Sequence, residues 1–172
     1  MFASAHSSLA LDPEKVLGAP PGAPVPIRID TREQAPLMFD PAYAVCVRAT
    51  VHVFDYAVDG DEGWAIERKS VSDLIGSFTV NKAGELKKIG KARERFDKGW
   101  PLVYVVEGGI ADMMQYNWDR FDRVNSAWFF STLARLMIRE GVTLLFAANR
   151  VESALWVYRL LKSRNKFLIG AR

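Results

Sequence analysis

Asp55, Glu67 and Lys69 are spaced so that a β-hairpin would bring two carboxylates and an ammonium to one face of a sheet, a set suited to metal-dependent phosphodiester hydrolysis. Residues 51–58 and 64–69 are rich in β-branched and aromatic side chains and flank Asp59-Gly60-Asp61-Glu62-Gly63, a hairpin signal. With the loop centred on Asp61, Ala57 pairs with Ala65, Tyr56 with Ile66, and Asp55 falls opposite Glu67, their Cβ atoms roughly 4.5–5.5 Å apart. Alternation then puts Val53, Asp55, Ala57, Ala65, Glu67 and Lys69 on one face, and Phe54, Tyr56, Val58, Trp64 and Ile66 on the other, with Arg68 the exception on that apolar side. Two facing acids destabilise a ladder, and a hard cation such as Mg²⁺ or Mn²⁺ would compensate them. Lys69 could orient or deprotonate the attacking water, or neutralise charge gathering on a phosphate. From these three residues alone, a hairpin whose charged face simply meets water reads the same.

The neighbouring segments decide between those readings. Upstream, Val25-Pro26-Ile27-Arg28-Ile29-Asp30 reads as a strand ending in an acid, followed by Thr31-Arg32-Glu33-Gln34; downstream, Ser70-Val71-Ser72-Asp73-Leu74-Ile75-Gly76-Ser77 follows Lys69 directly. Together, Asp30-Thr31-Arg32-Glu33, Asp55 and Glu67-Arg68-Lys69 through Ser77 closely resemble the XPF-type nuclease domain family. Its pattern is D-x-R-E, then G-D, a variable gap, E-R-K, three residues and D. The resemblance runs from about Ile27 to the helix near Lys162.

It implies an α/β fold of the restriction-endonuclease-like kind, a central mixed β-sheet flanked by helices. It also implies Mg²⁺- or Mn²⁺-dependent endonucleolytic cleavage of DNA at branches, flaps or junctions in repair or recombination, leaving 5′-phosphate and 3′-hydroxyl ends. Carried over residue by residue, the resemblance makes Asp55 and Glu67 metal ligands, with Asp30 and Glu33 completing the acidic cluster through ligation or through water, and Lys69 the catalytic lysine; Arg68 matches the family's arginine, and its opposite-facing direction suggests support of the site from behind by pairing with an acid. Asp73 fills the last motif position, and equally Ser70 and Asp73 approximate a helix capping box. One departure stands out: the glycine that precedes the hairpin aspartate in the family is Phe54 here.

At 172 residues with 49% hydrophobic content, the chain fits one domain over 25–172 behind an arm over 1–24 that ends in a Gly/Ala/Pro run. A net charge of +3 is compatible with a nucleic-acid partner without demanding one. The lone Cys46 rules out an intramolecular disulfide, and two histidines make a zinc site unexpected. No apolar run approaches the roughly 18 residues of a membrane span, and the N-terminus lacks the pattern of a signal peptide. The expectation is an intracellular, cytoplasmic protein, associated with the nucleoid in a bacterial or phage setting, that partners DNA and no membrane. The helix-hairpin-helix or helicase modules of many relatives are not expected within the chain.

Beyond the motif, residues 82–98 read as a helix with Leu86, Ile89 and Phe96 on one side and Lys87, Lys91, Arg95 and Lys98 as a basic stripe, either a phosphate track or a solvated face. Residues 101–107 and 142–147 read as buried strands. Glu107 at the first strand's end either joins the acids or faces solvent. Helices over 126–140 and 152–162 are more apolar than one core stripe requires; full burial in the chain would account for that surplus, and so would the homodimer that the resemblance implies. The functional classes are a DNA endonuclease, a non-catalytic DNA-binding partner subunit of the same fold, and a hydrolase of another phosphodiester. Retention of all seven motif residues favours the first.

Overall fold

The computed structural model describes residues 17–20, 22–121 and 124–170. Of the arm expected over 1–24, residues 1–16 and 21 therefore lie outside the described residues. Strands β1 (Val25–Ile29), β2 (Ala44–Arg48), β3 (Tyr56–Val58), β4 (Ile66–Ser70), β5 (Leu102–Glu107) and β6 (Val142–Ala147) form one mixed sheet in the order β2-β1-β3-β4-β5-β6. Helices α1 (Val71–Thr79), α2 (Lys82–Arg95), α3 (Ile110–Met114), α4 (Ser126–Glu140) and α5 (Arg150–Leu168) complete the domain. The expected α/β architecture, a mixed sheet flanked by helices, is what the chain adopts.

Parallel pairing links β4, β5 and β6, while β3 runs antiparallel to both β1 and β4. The β5 sequence Leu-Val-Tyr-Val-Val is buried at every one of these positions, as a parallel strand covered on both faces must be. On one side α1 and α2 pack over β4 and β5; α5 crosses β1, β3, β5 and β6. Helix starts are fixed by short polar caps: Ser70 accepts from Asp73 N, Asn125 from Trp128 N, and Asn149 from Val151 N and Glu152 N. Arg164 on α5, 1% exposed, reaches back to Asp61 and Asp97 and ties the hairpin loop to the last helix.

The expected hairpin register holds, Tyr56 opposite Ile66, but its first arm is shorter. Residues 51–55 are not strand, and Phe54 has φ 72°, in the left-handed region that L-residues with a large side chain rarely enter. That turn overturns the face expected for Phe54 alone. Instead of joining Tyr56 on the apolar side, the Phe54 ring packs edge-on against Phe96 and Tyr104. Strand β2, at the sheet edge with Cys46 exposed, carries no signal that the sequence reading used.

Candidate active site

A cleft at the end of β4 is lined by Arg32, Glu33, Gln34, Asp55, Glu67, Arg68, Lys69, Asp73 and Lys88. Asp55 sits where three strands meet: its carbonyl accepts from Asp30 N at 2.8 Å, its N–H donates to Ile66 O at 3.0 Å, and its Oδ2 accepts from Arg68 N at 2.8 Å. The backbone thus aims the carboxylate before any ligand arrives. Burial, and then the neighbouring Glu67, push its pKa up to about 7.

Glu67, 2% exposed, meets two ammoniums: Lys69 Nζ at 3.0 Å from Oε1 and Lys88 Nζ at 2.5 Å from Oε2. Lys69 is also 3.2 Å from Glu85 Oε2, and the other oxygen of Glu85 accepts from the Tyr104 hydroxyl at 2.6 Å. Burial alone would lower the Lys69 pKa, but Glu67 and Glu85 outweigh it and hold the ammonium above its ordinary value. Burial likewise opposes ionisation of Glu85, and Lys69, Tyr104 and Lys88 overcome it. The arrangement supplies fixed positive charge beside two convergent carboxylates; it does not supply a lysine base.

Arg68 points to the opposite side of β4, as strand alternation requires. Its guanidinium pairs with Glu107 and lies 3.7 Å from Glu33 Oε2. Glu107 is therefore neither a cleft acid nor a solvent-facing one but the partner of Arg68. Glu33 lines the cleft and caps the turn through Oε1 to Ala35 N at 2.9 Å. Arg48 and Arg150 pin that turn by donating to the carbonyls of Thr31, Glu33, Ala35 and Pro36. Asp73 lines the cleft, its N–H donates to Ser70 Oγ at 3.1 Å as the helix cap requires, and its Oδ2 accepts from the same hydroxyl at 2.7 Å.

One expectation needs correction. Asp30, 1% exposed, does not line the cleft. Its Oδ1 accepts from Arg32 N and Nε, and its Oδ2 from Arg32 Nη2 and Val51 N, so four donors occupy both oxygens. Burial works against its ionised form, but these bonds prevail and hold its pKa below the usual value. Asp30 is a staple that fixes Arg32 and residue 51, not a metal ligand in this arrangement. The basic stripe lies apart from the cleft. Lys87, Lys91, Arg95 and Lys98 are exposed and none lines the cleft; Arg95 donates to Glu62, and Lys98 lies past the end of α2.

The residues that sequence reasoning missed are on the same helix. The inward stripe of α2 is Glu85, Ile89 and Ala92 rather than Leu86, which is 37% exposed. Glu85 interrupts an apolar i, i+4, i+7 pattern, and an acid in that position was the available signal. Lys88 follows it by one turn and so overhangs the cleft.

Among the described residues, no cluster of three or more Asp, Glu, His or Cys side chains is disposed to hold a metal. The donors that converge are two, Asp55 and Glu67. Hard oxygen donors in that number suit Mg²⁺ or Mn²⁺, which keep several waters and bind through one or two carboxylates plus substrate phosphates. The two ammoniums on Glu67 stand where positive charge is required, so the residues present fit such an ion.

Residues 29–160 match the family model described as the ERCC4 domain. The chain belongs to the ERCC4 domain family. Solved structures similar to this ERCC4 domain include XPF from Aeropyrum pernix, with 17% identity and TM-score 0.58 over 80% of this chain and 65% of that one. XPF from Aeropyrum pernix in complex with DNA gives 18% identity and TM-score 0.61 over 83% of this chain and 66% of that one. The chain thus spans about two thirds of the length of each, and at these identities the likeness establishes the restriction-endonuclease-like fold. No curated protein matches the sequence. No helix among the described residues is long and apolar enough to cross a membrane.

Proposed function

We propose that this ERCC4 domain is a Mg²⁺- or Mn²⁺-dependent DNA endonuclease acting on branched, flap or junction DNA in repair or recombination. The observation that carries the reading is the convergence of Asp55 and Glu67 beside the doubly paired Lys69 ammonium in an open cleft. Family membership supports a nuclease, and the fold shared with an XPF solved in complex with DNA supports DNA as the substrate.

Asp55 and Glu67 would hold the divalent ion, which when bound lowers the pKa of a water and screens the phosphate charge. The rest falls to the chain. Asp55 is fixed by Arg68 N and by its own backbone, so its carboxylate needs no reorganisation. Lys69 keeps its proton and would offset the negative charge that builds on the phosphoryl oxygens during in-line attack, which would leave 5′-phosphate and 3′-hydroxyl ends. Arg68, pairing Glu107 and facing Glu33, braces β4 against the 31–36 turn and is a positioning residue.

The apolar surplus of α4 and α5 is not all buried within the chain: Met137 is 49%, Ile138 83% and Trp156 41% exposed. That exposure supports assembly as a homodimer.

A non-catalytic DNA-binding subunit is the second reading, favoured by the lysines on both Glu67 oxygens and by the absence of Asp30 from the cleft. Incubating the protein with labelled linear, splayed-arm, flap and four-way-junction DNA, with and without Mg²⁺ or Mn²⁺, separates the two. Metal-dependent cutting that Asp55→Ala abolishes is the expected result, and the ranking of substrates reports branch selectivity. Binding without cutting would install the second reading instead.

A further inference from the structure

We propose that Lys88 is an exchangeable cation of this site, neutralising Glu67 while no divalent ion is bound and turning to a substrate phosphate once one is. The inference rests on the nuclease reading for its second half and on geometry for its first.

The two ammoniums on Glu67 are held differently. Lys69, 10% exposed, is shared between Glu67 and Glu85 and lies 5.8 Å from the Tyr104 ring centre. Moving it would strand Glu85, which is buried and has its other oxygen committed to the Tyr104 hydroxyl. Lys88, 33% exposed, has its carboxylate contact with Glu67 alone among the described residues and borders open solvent. Its departure leaves Glu67 still paired with Lys69. Lys88 is therefore the cation that can leave without orphaning a buried acid.

Electrostatics supplies the reason to leave. A divalent ion on Asp55 and Glu67 would sit within a few ångströms of the Lys88 ammonium, and two cations at such a distance repel strongly where water is partly excluded. The same ion would bring a phosphate to the cleft mouth, which Lys88 overhangs from α2. Phe54 prepares the exchange. Its left-handed backbone swings the ring in against Phe96 and Tyr104, and Lys88 Nζ lies 5.5 Å from its centre. The ring face offers an attraction that does not depend on Glu67 and keeps the ammonium at the cleft after it lets go. Phe54 is thus a positioning residue in the place where the family pattern has glycine.

Two measurements test this, with Lys88→Met, Lys88→Arg and Glu67→Gln beside the parent. In the first, Mn²⁺ is titrated calorimetrically into DNA-free protein. Lys88→Met should bind Mn²⁺ at least threefold tighter than the parent, Lys88→Arg about as the parent does, and Glu67→Gln should lose the site. In the second, affinity for a labelled flap DNA is read by fluorescence anisotropy with Ca²⁺ as the divalent ion and again without any. Lys88→Met should weaken binding at least threefold with Ca²⁺ and distinctly less without it.

Unchanged or weaker Mn²⁺ binding by a folded Lys88→Met protein, or no Mn²⁺ bound by either form, would overturn the exchange. Equal loss of DNA affinity with and without Ca²⁺ would reduce Lys88 to a fixed surface charge. Tighter Mn²⁺ binding by Lys88→Met together with a parent that cuts no DNA would leave the exchange standing and remove the nuclease reading instead.

Discussion

Replacing Phe54 by alanine and by glycine removes the same ring but asks different things of the backbone. The ring is 1% exposed and packs against Phe96 and Tyr104, so its loss should cost about 3–5 kcal/mol in either variant. At φ 72° an L-residue carries about 1–2 kcal/mol of steric penalty, which phenylalanine and alanine both bear and glycine escapes. Against that, glycine loses about 0.5–1 kcal/mol more chain entropy on folding. Phe54→Gly should therefore be more stable than Phe54→Ala by on the order of 1 kcal/mol, the reverse of the order at an ordinary strand position. For a domain of this size that is a difference of roughly 2–4 °C in Tm. Urea unfolding of the metal-free variants, fitted with a common m-value, reads the difference directly. If Phe54→Ala proves as stable as Phe54→Gly or more so, the left-handed turn ahead of Asp55, and the positioning argued from it, are wrong.

The pH dependence follows from Asp55, whose pKa is raised to about 7 by burial and by Glu67. Because the folded state keeps a proton that the unfolded chain releases near 4, metal-free stability should fall as pH rises from about 4 to 7 and stay lowered above it. Asp55→Asn should flatten that slope and exceed the parent at pH 8 by on the order of 2 kcal/mol, about half of what the full shift would set; denaturation across pH shows whether it does. Lys69→Ala should abolish turnover while DNA binding persists in anisotropy, at a stability cost of about 3 kcal/mol from the buried Glu85 it strands; parallel loss of binding in a folded protein would contradict a role confined to chemistry. Asp30→Asn should cost about 2–3 kcal/mol by opposing two donors with an amide, yet leave calorimetric Mn²⁺ affinity unchanged; loss of Mn²⁺ binding would restore Asp30 to the ligand set. Sedimentation should show mass rising towards the dimer with concentration, and a monomer at every concentration would refute the assembly.

What the sequence disclosed was what period and local chemistry encode. The Tyr56–Ile66 register, β5, β6 and α4 follow from alternation, apolar runs and turn residues, and the Ser70 cap from its spacing to Asp73. The hairpin acids and Lys69 were legible because a strand fixes which residues share a face. The failures share a different cause. Asp30 reads as one more acid of a motif, and only the fold shows that Arg32 and residue 51 saturate it. Phe54 sits in a run that looks like uninterrupted strand, so its turn was hidden, although the glycine of the family pattern at that position was a hint of positive φ. Lys88 lay beside a stripe of exposed lysines and arginines, and which of them meets the site depends on how α2 docks, a tertiary fact.

Charge balance explains why a lysine rather than another acid completes this cleft. Asp55, Glu67 and Glu85 crowd carboxylates into a half-buried space, and without compensation each would be driven towards its neutral form. Lys69 satisfies Glu67 and Glu85 together, which is why removing it harms both. Among the described residues Asp55 has no ammonium in ion-pair contact; its Oδ2 accepts from Arg68 N, and burial and then Glu67 keep its pKa raised although Lys88 nearby lowers it in part. On the exchange proposed above, a divalent cation at Asp55 and Glu67 would offset both carboxylates and leave Lys88 as the charge in excess. Lys88→Met should therefore make Mn²⁺ binding tighter and metal-stimulated DNA binding weaker, opposite effects that a merely structural lysine would not produce.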